Sequence, residues 1–537
     1  ENNYAEFVGT GYYRKEFSIP ENWEDNVVRL HFAAVYQTAH VWLNGQYLGM
    51  HAGGYTPFEF NISQVLRPGK NVIALSANNE YGRGAWWHWG GISREVKLIK
   101  NNEQRIVSQR ITTEPDLETG EAKVHYAADL RNHADQEFKG MLTVVIENLQ
   151  LGSSAIVVEN ASIMLAANAN KIKNFTVLLN KNQVQLWDVE NPNLYKIHTS
   201  LLSEAGSVIH KKEERFGIRK IETRKTKVLL NGKEIHMNGF NRVADHRAFG
   251  QTEPDVLVKF DIDAMKAMGC NFTRINHHPQ SENLLNYCDE VGMLLIEEIP
   301  VWQDDPHLYK DDPEAKRWLD EMITRDYNHP SIIGWSVANE IHDGTLEGRQ
   351  MSPRVYDYVE SMINHVQTLD STRLKTYVSF TAGNAKELGV DPADVCDIIS
   401  FTSYGDASKV AKRIHEVWPN KPVFVAEIGL NQFGDVDSDA ELPANLIRAI
   451  KNSLQLDYVV GVSLWTYNDY RSNYGGTPPS QNRAWGVYNV WRQPKPAAYQ
   501  IQQLFRSKST ELPSLNDPLP AFIKDNPFIL AIVPLEN

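Results

Sequence analysis

The sequence predicts a multidomain chain in which two β-sandwiches precede a C-terminal (β/α)8 barrel. Three observations predict it. A length of 537 residues exceeds what one hydrophobic core serves and suggests about three to four domains. The first two fifths consist of short alternating runs divided by turn dipeptides, without a strong helical period. After about residue 225, strand-like runs alternate with helical patterns eight times, in number and size a closed parallel barrel.

Residues 1–102 read as the first β-domain, with runs such as Val27-Val28-Arg29-Leu30-His31-Phe32 and His40-Val41-Trp42-Leu43 ending at the turn Asn44-Gly45. Residues 103–222 repeat the style, with strands near Leu142–Ile146 and Lys171–Val177, and suggest a second sandwich. Residues 223–510 carry eight strand candidates: 235–241, 271–276, 293–299, 332–339, 374–379, 397–402, 423–426 and 461–466. Helices are expected between them, one from a capping box at Thr252 and Asp255 to a stop at Gly269, another from Ser281 to a stop at Gly292. A doubly wound open sheet is the alternative, but no Gly-rich phosphate loop follows the first strand. Residues 511–537, rich in proline, read as a tail or the start of a further domain.

Composition narrows the function. With 54 Lys and Arg against 67 Asp and Glu, the net charge of −13 repels a phosphate backbone, so nucleic acid is excluded as a partner. No apolar run approaches the ~18 to 20 residues of a membrane span. The three cysteines, Cys270, Cys288 and Cys396, are widely spaced and read as buried thiols rather than a disulfide framework. A chain that begins with Glu1 reads as processed or trimmed: periplasmic or secreted if a signal peptide was removed, otherwise cytoplasmic.

In a (β/α)8 barrel the catalytic groups stand at the C-terminal ends of strands. The fourth strand candidate runs Ile332-Ile333-Gly334-Trp335-Ser336-Val337-Ala338-Asn339 into Glu340, and the seventh, Val423-Phe424-Val425-Ala426, into Glu427. Each carboxyl follows a buried apolar run, where desolvation raises its pKa. Strands 4 and 7 approach across the mouth, and glycoside hydrolysis needs such a pair, one to protonate the leaving oxygen and one to attack or to activate water. The rival reading is that each Glu merely ends a strand and pairs with a basic neighbour.

Over nearly its whole length the chain also resembles glycoside hydrolase family 2, the family of β-galactosidases, β-glucuronidases and β-mannosidases. The most specific match is Asn328-His329-Pro330-Ser331-Ile332-Ile333-Gly334-Trp335-Ser336-Val337-Ala338-Asn339-Glu340, similar to the family's acid/base signature. Gly11–Phe17, Val41–Gly45, His51–Phe58 and Gly90–Arg94 resemble its sugar-binding jelly roll, and the domain ending in Arg215–Arg219 its immunoglobulin-like module. The family usually opens with a further strand before the Gly11 motif, which suggests a trimmed or shortened chain.

The resemblance implies a retaining exo-β-glycosidase with Glu340 as acid/base and Glu427 as nucleophile, their carboxyls ~5 to 5.5 Å apart. By the same resemblance Asn339 would hydrogen-bond the sugar 2-OH, Arg274 would keep Glu427 ionised, and Tyr404 would orient it. His277 would line a subsite and Trp465 would floor the sugar ring. Each helper has a plainer rival: a structural ion pair for Arg274, a rim aromatic for Tyr404, barrel core for Trp465, surface histidines for His277 and His278. Glu297 and Glu298 end strand 3, but the Glu-x-His motif through which some members bind magnesium is replaced by Glu298-Ile299-Pro300, so no metal and no cofactor is expected.

For the sugar, the family glucuronidases' Asn-x-Lys after strand 8 is absent from Asn482-Arg483-Ala484-Trp485, although Arg483 or Arg471 could grip a carboxylate. Asp245 or His246, after strand 1, are candidates for contacting the terminal sugar. The family base rate points to a β-galactosidase acting on oligosaccharides, with a β-glucuronidase or other β-glycosidase as the alternative. A non-catalytic carbohydrate-binding protein is the alternative from a different class, and similar enzymes often form homo-oligomers.

Overall fold

The computed structural model describes residues 7–19, 23, 27–82, 84–150, 155–342, 352–388, 391–429 and 440–506. The proposed tail at 511–537 lies outside the described residues.

The N-terminal β-domain is a sandwich. One sheet orders its strands Thr10–Ser18, Lys70–Asn78, Thr38–Leu43, Gln46–Ala52, and the other Phe58–Asn61, Val27–Phe32, Val96–Asn101. Alternation along Thr38–Leu43 turns Ala39, Val41 and Leu43 inward, against Val28, Leu30 and Leu75. The turn to the next strand uses Asn44 and Gly45, at φ 52° and 85°, conformations that Asn and Gly tolerate best.

The second sandwich packs the sheet Gln104–Pro115, Ala122–Asn132, Asn170–Leu179 against Ala155–Leu165, Phe138–Asn148, Tyr195–Ser203, Val208–Phe216. Val124, Tyr126, Val144, Ile146 and Ile197 fill the space between them.

The C-terminal part is a closed parallel barrel of β1 (Met237–Arg242), β2 (Phe272–Ile275), β3 (Leu294–Glu298), β4 (Ile332–Asn339), β5 (Leu374–Ser379), β6 (Ile399–Ser403), β7 (Val423–Ile428) and β8 (Val459–Trp465). β1 closes the ring by pairing Met237 with Gly461 of β8. A Cβ on Gly461 would lie 2.0 Å from Met237 O, so the closure requires glycine there.

All eight strands lie where sequence patterning put them, and those covered on both faces such as Ile332–Asn339 and Val423–Ile428 read as nearly unbroken apolar runs. One helix start differs from expectation. The first helix is Asp255–Ala267 with Pro254 at its N-cap, and Thr252 donates to Phe249 O instead of capping. The next is Glu282–Val291, preceded by Ser281 and ended by Gly292 at φ 68°. All three cysteines are buried free thiols.

Candidate active site

The ends of β1, β3, β4 and β7 meet around one guanidinium carried by β2. Arg274, only 1% exposed at the end of β2, donates from Nη1 to Glu427 Oε1 at 2.7 Å and to Asn241 Oδ1 at 3.0 Å. Its Nη2 donates to both oxygens of Glu298 (2.8 and 3.0 Å) and to Asn339 Oδ1 (2.9 Å). Asn241 is fixed in turn by donating to Ala426 O at 2.8 Å, which ties β1 to β7 beside the carboxylate.

Glu427 is almost wholly buried, and Tyr404, just past β6, donates its hydroxyl to Oε2 at 2.6 Å. Its two oxygens are thus held by different donors. Burial and the Glu340 charge raise the Glu427 pKa, opposed by Arg274, His277 and the Tyr404 hydrogen bond; the net direction is upward. Arg274 therefore favours ionisation without controlling it. Desolvation of its hydroxyl and the two carboxylates raise the Tyr404 phenol pKa, although the residue is 40% exposed at the rim, so it remains a donor.

Glu340 follows β4 in a left-handed backbone conformation, φ 50°, with its N–H on Val378 O of β5 at 2.8 Å. Thr402 of β6 donates to Glu340 Oε1 at 2.7 Å. Thr402 is also the register partner of Glu427 on β7, so the two glutamates stand at one mouth.

His277 lies between Glu298, 2.8 Å from Nδ1, and Glu427, 3.8 Å from Nε2. Trp465 stacks on its ring (centroids 6.0 Å, interplanar 18°) and donates its indole N–H to Tyr470 Oη at 3.1 Å. Tyr404 meets Trp485 edge-on at 5.7 Å, and Arg483 lies over both Trp485 and Tyr474 at 5.3 Å.

Asp245 and His246 are tied into the protein itself. One Asp245 oxygen accepts from the Trp89 indole and the other from the Arg471 backbone, both at 2.8 Å. His246 accepts from Ala248 N and stacks on Phe249. Both are buried and brace the loop that follows β1. His278 stacks flat on Tyr55 of the first sandwich, 3.9 Å between centroids, and burial takes its pKa down to about 3. Glu298 forms an ion pair with Arg274; Glu297 instead accepts from Gln280 N. No group of three or more metal-ligating side chains occurs among the described residues.

Sequence reasoning missed a wall. The first sandwich sends the loop around Trp86 into the barrel mouth, where the indole lies 5.4 Å from the His277 ring and packs with Val243, Trp465 and Tyr470. The loop is strapped down: Trp87 N donates to Arg471 O at 2.8 Å, Ser472 donates to Ala85 O at 2.6 Å, and the Arg471 guanidinium stacks on Trp87 at 4.4 Å. Three tryptophans within four residues, Trp86, Trp87 and Trp89, were the available signal.

Comparison with known proteins agrees with this architecture. The model of "Glycosyl hydrolases family 2, TIM barrel domain" matches residues 221–508, more than half of the chain. The chain belongs to glycoside hydrolase family 2. The family's sugar binding domain matches residues 1–102, and a third family 2 model matches 104–219. A β-galactosidase of Thermoanaerobacterium thermosulfurigenes is 27% identical over 550 residues, 97% of this chain and 72% of that protein. Another, from Thermoanaerobacter pseudethanolicus, is 30% identical over 377 residues, 67% of this chain and 47% of its own length. The crystal structure of Bacteroides uniformis β-glucuronidase superposes with a TM-score of 0.83 at 25% identity, covering 94% of this chain and 64% of that one. The chain thus spans less than two thirds of several relatives that it matches.

Proposed function

We propose that this family 2 chain is a retaining exo-β-glycosidase with Glu340 as acid/base and Glu427 as nucleophile. One observation carries the reading: Glu427 is buried, gripped by Arg274 and Tyr404 on separate oxygens, and lies within the field of Glu340. A nucleophile needs such a grip, because its charge vanishes as it attacks and must be restored when it leaves.

In the first step a Glu427 oxygen bonds to the anomeric carbon while the glycosidic C–O bond breaks, and Glu340 passes its proton to the leaving oxygen. In the second step Glu340, now a carboxylate, takes a proton from water. The hydroxide portion bonds to the anomeric carbon, and Glu427 departs as a carboxylate. Asn339 would contact the 2-OH, and His277, Trp465 and Trp86 would line the sugar pocket. The route requires a carboxyl separation of about 5 to 5.5 Å.

For the terminal sugar we propose a β-galactoside, the substrate named for both Thermoanaerobacterium and Thermoanaerobacter relatives. A β-uronide is the second reading, and Arg483 favours it. This guanidinium is 7% exposed, and its buried Nε meets no acceptor among the described residues, so a sugar carboxylate would supply one. A panel of nitrophenyl β-galactoside, glucuronide, mannoside and glucoside tests the choice. The galactoside should be cleaved fastest; release from the glucuronide alone would establish the second reading. If wild type and Glu427→Ala were equally inert while both bound oligosaccharide, the chain would be a carbohydrate-binding protein instead.

A further inference from the structure

Three buried groups beside Arg274, namely Asn339, His277 and Glu298, leave a single consistent arrangement of protons. Arginine only donates, so the Asn339 atom 2.9 Å from Nη2 has to be the amide oxygen. The amide nitrogen then faces the other way, 3.2 Å from His277 Nε2. That ring nitrogen must accept. Burial lowers the His277 pKa and favours the neutral ring, so the ring proton belongs on Nδ1, 2.8 Å from Glu298 Oε1. Arg274 Nη2 and His277 Nδ1, 3.1 Å apart, are then two donors converging on that one oxygen.

Glu298 suits the task of accepting from both. It is 0% exposed, Ser336 Oγ donates to its Oε2 at 2.5 Å, and Arg274 bridges both oxygens. Burial alone would raise its pKa, but Arg274, His277 and Ser336 outweigh that and hold it at about 2, so the acceptor is always ionised.

We infer that Glu298 is a positioning residue: it fixes the Nδ1–H tautomer of His277 and, through it, the single orientation of the Asn339 amide. One N–H of that amide remains for the sugar beside Glu427. The inference rests on the proposed glycosidase reading, in which Asn339 meets the 2-OH. Glu298 itself touches neither sugar nor reacting atoms. Its influence passes through two hydrogen bonds, much as an outer partner sets the tautomer of a metal-bound histidine.

The test compares kcat/KM on the nitrophenyl β-glycoside that wild type cleaves fastest with kcat/KM on its 2-deoxy analogue. Wild type should favour the 2-hydroxyl by about 10²-fold or more, since this contact strengthens in the transition state. Glu298→Met keeps the volume but removes the acceptor, and should reduce the preference below about 10-fold. Glu298→Gln keeps a carbonyl for Nδ1–H and should hold the preference within about 3-fold of wild type. Equal losses on both substrates with an unchanged preference, or Gln and Met variants alike, would overturn the inference. Should Glu298→Met lack a folded melting transition, His277→Phe against His277→Gln gives the same contrast, because only Gln replaces the Nε2 acceptor. A wild type indifferent to the 2-hydroxyl would remove Asn339 from the sugar, and one inert across the whole panel would remove the glycosidase reading. Both failures are distinct from a failure of the Glu298 assignment.

Discussion

Thr402 donates to Glu340 Oε1 at 2.7 Å, and its own backbone is the register partner of Glu427 on the next strand. One residue of β6 thus links the two carboxylates, its side chain to Glu340 and its backbone beside Glu427, with a single χ1 between them.

If that hydroxyl positions Glu340 for proton delivery, Thr402→Val should lower kcat about 10-fold on a glycoside with a poor leaving group. The loss should shrink toward unity on a dinitrophenyl glycoside, whose departure needs little protonation. Thr402→Ser should recover most activity. A Val variant equally slow on both substrates would place Thr402 outside acid catalysis.

Tyr404→Phe removes the hydroxyl that donates to Glu427 Oε2. That hydrogen bond lowers the Glu427 pKa, so its loss moves the pKa further up. The nucleophile must be ionised, and the acid limb of kcat/KM against pH should therefore shift to higher pH. At the optimum kcat should fall about 10²-fold. An unmoved acid limb would contradict the assignment of that limb to Glu427.

Glu427→Gln should reduce turnover by about 10⁴-fold or more, and it should also stabilise the fold at neutral pH. A carboxyl whose folded pKa lies above its unfolded value binds its proton more tightly in the fold. Ionising it costs stability, and the cost is complete once the pH passes the folded pKa. The Tm of the variant should exceed that of wild type at pH 7, with the gap closing as the pH falls below the ordinary glutamate value. A gap independent of pH would show that the ionisation of Glu427 is not its source.

Trp86 belongs to the first sandwich, yet Trp86→Leu should damage turnover in the barrel. A loss of about 10- to 10²-fold in kcat/KM, mostly in KM, follows if the indole walls the sugar pocket. Unchanged kinetics in the Leu variant would remove that wall from the site.

The barrel was legible because its local signal and its global role coincide. Ile332–Asn339 is a nearly continuous apolar run and became a strand over those very residues. A shared mouth for Glu340 and Glu427 was legible for a related reason, since strand ends of a barrel converge whatever lies between them in sequence, whereas Arg274 came from the family resemblance. Contacts across domains were not. Nothing near Trp86 announces His277, and nothing near Asp245 announces that Trp89 and the Arg471 backbone occupy both its oxygens. Strand order in the sandwiches was equally hidden, because Thr10–Ser18 pairs with Lys70–Asn78 across more than fifty intervening residues.

The straps from Ala85 and Trp87 to Ser472 and Arg471 also bear on how such a protein is inherited and rebuilt. A barrel moved alone into another scaffold would carry its charged machinery but open one flank of the cleft to water. Chimeras between relatives should therefore succeed when the crossover keeps both partners of this seam from the same parent, and fail when it divides them.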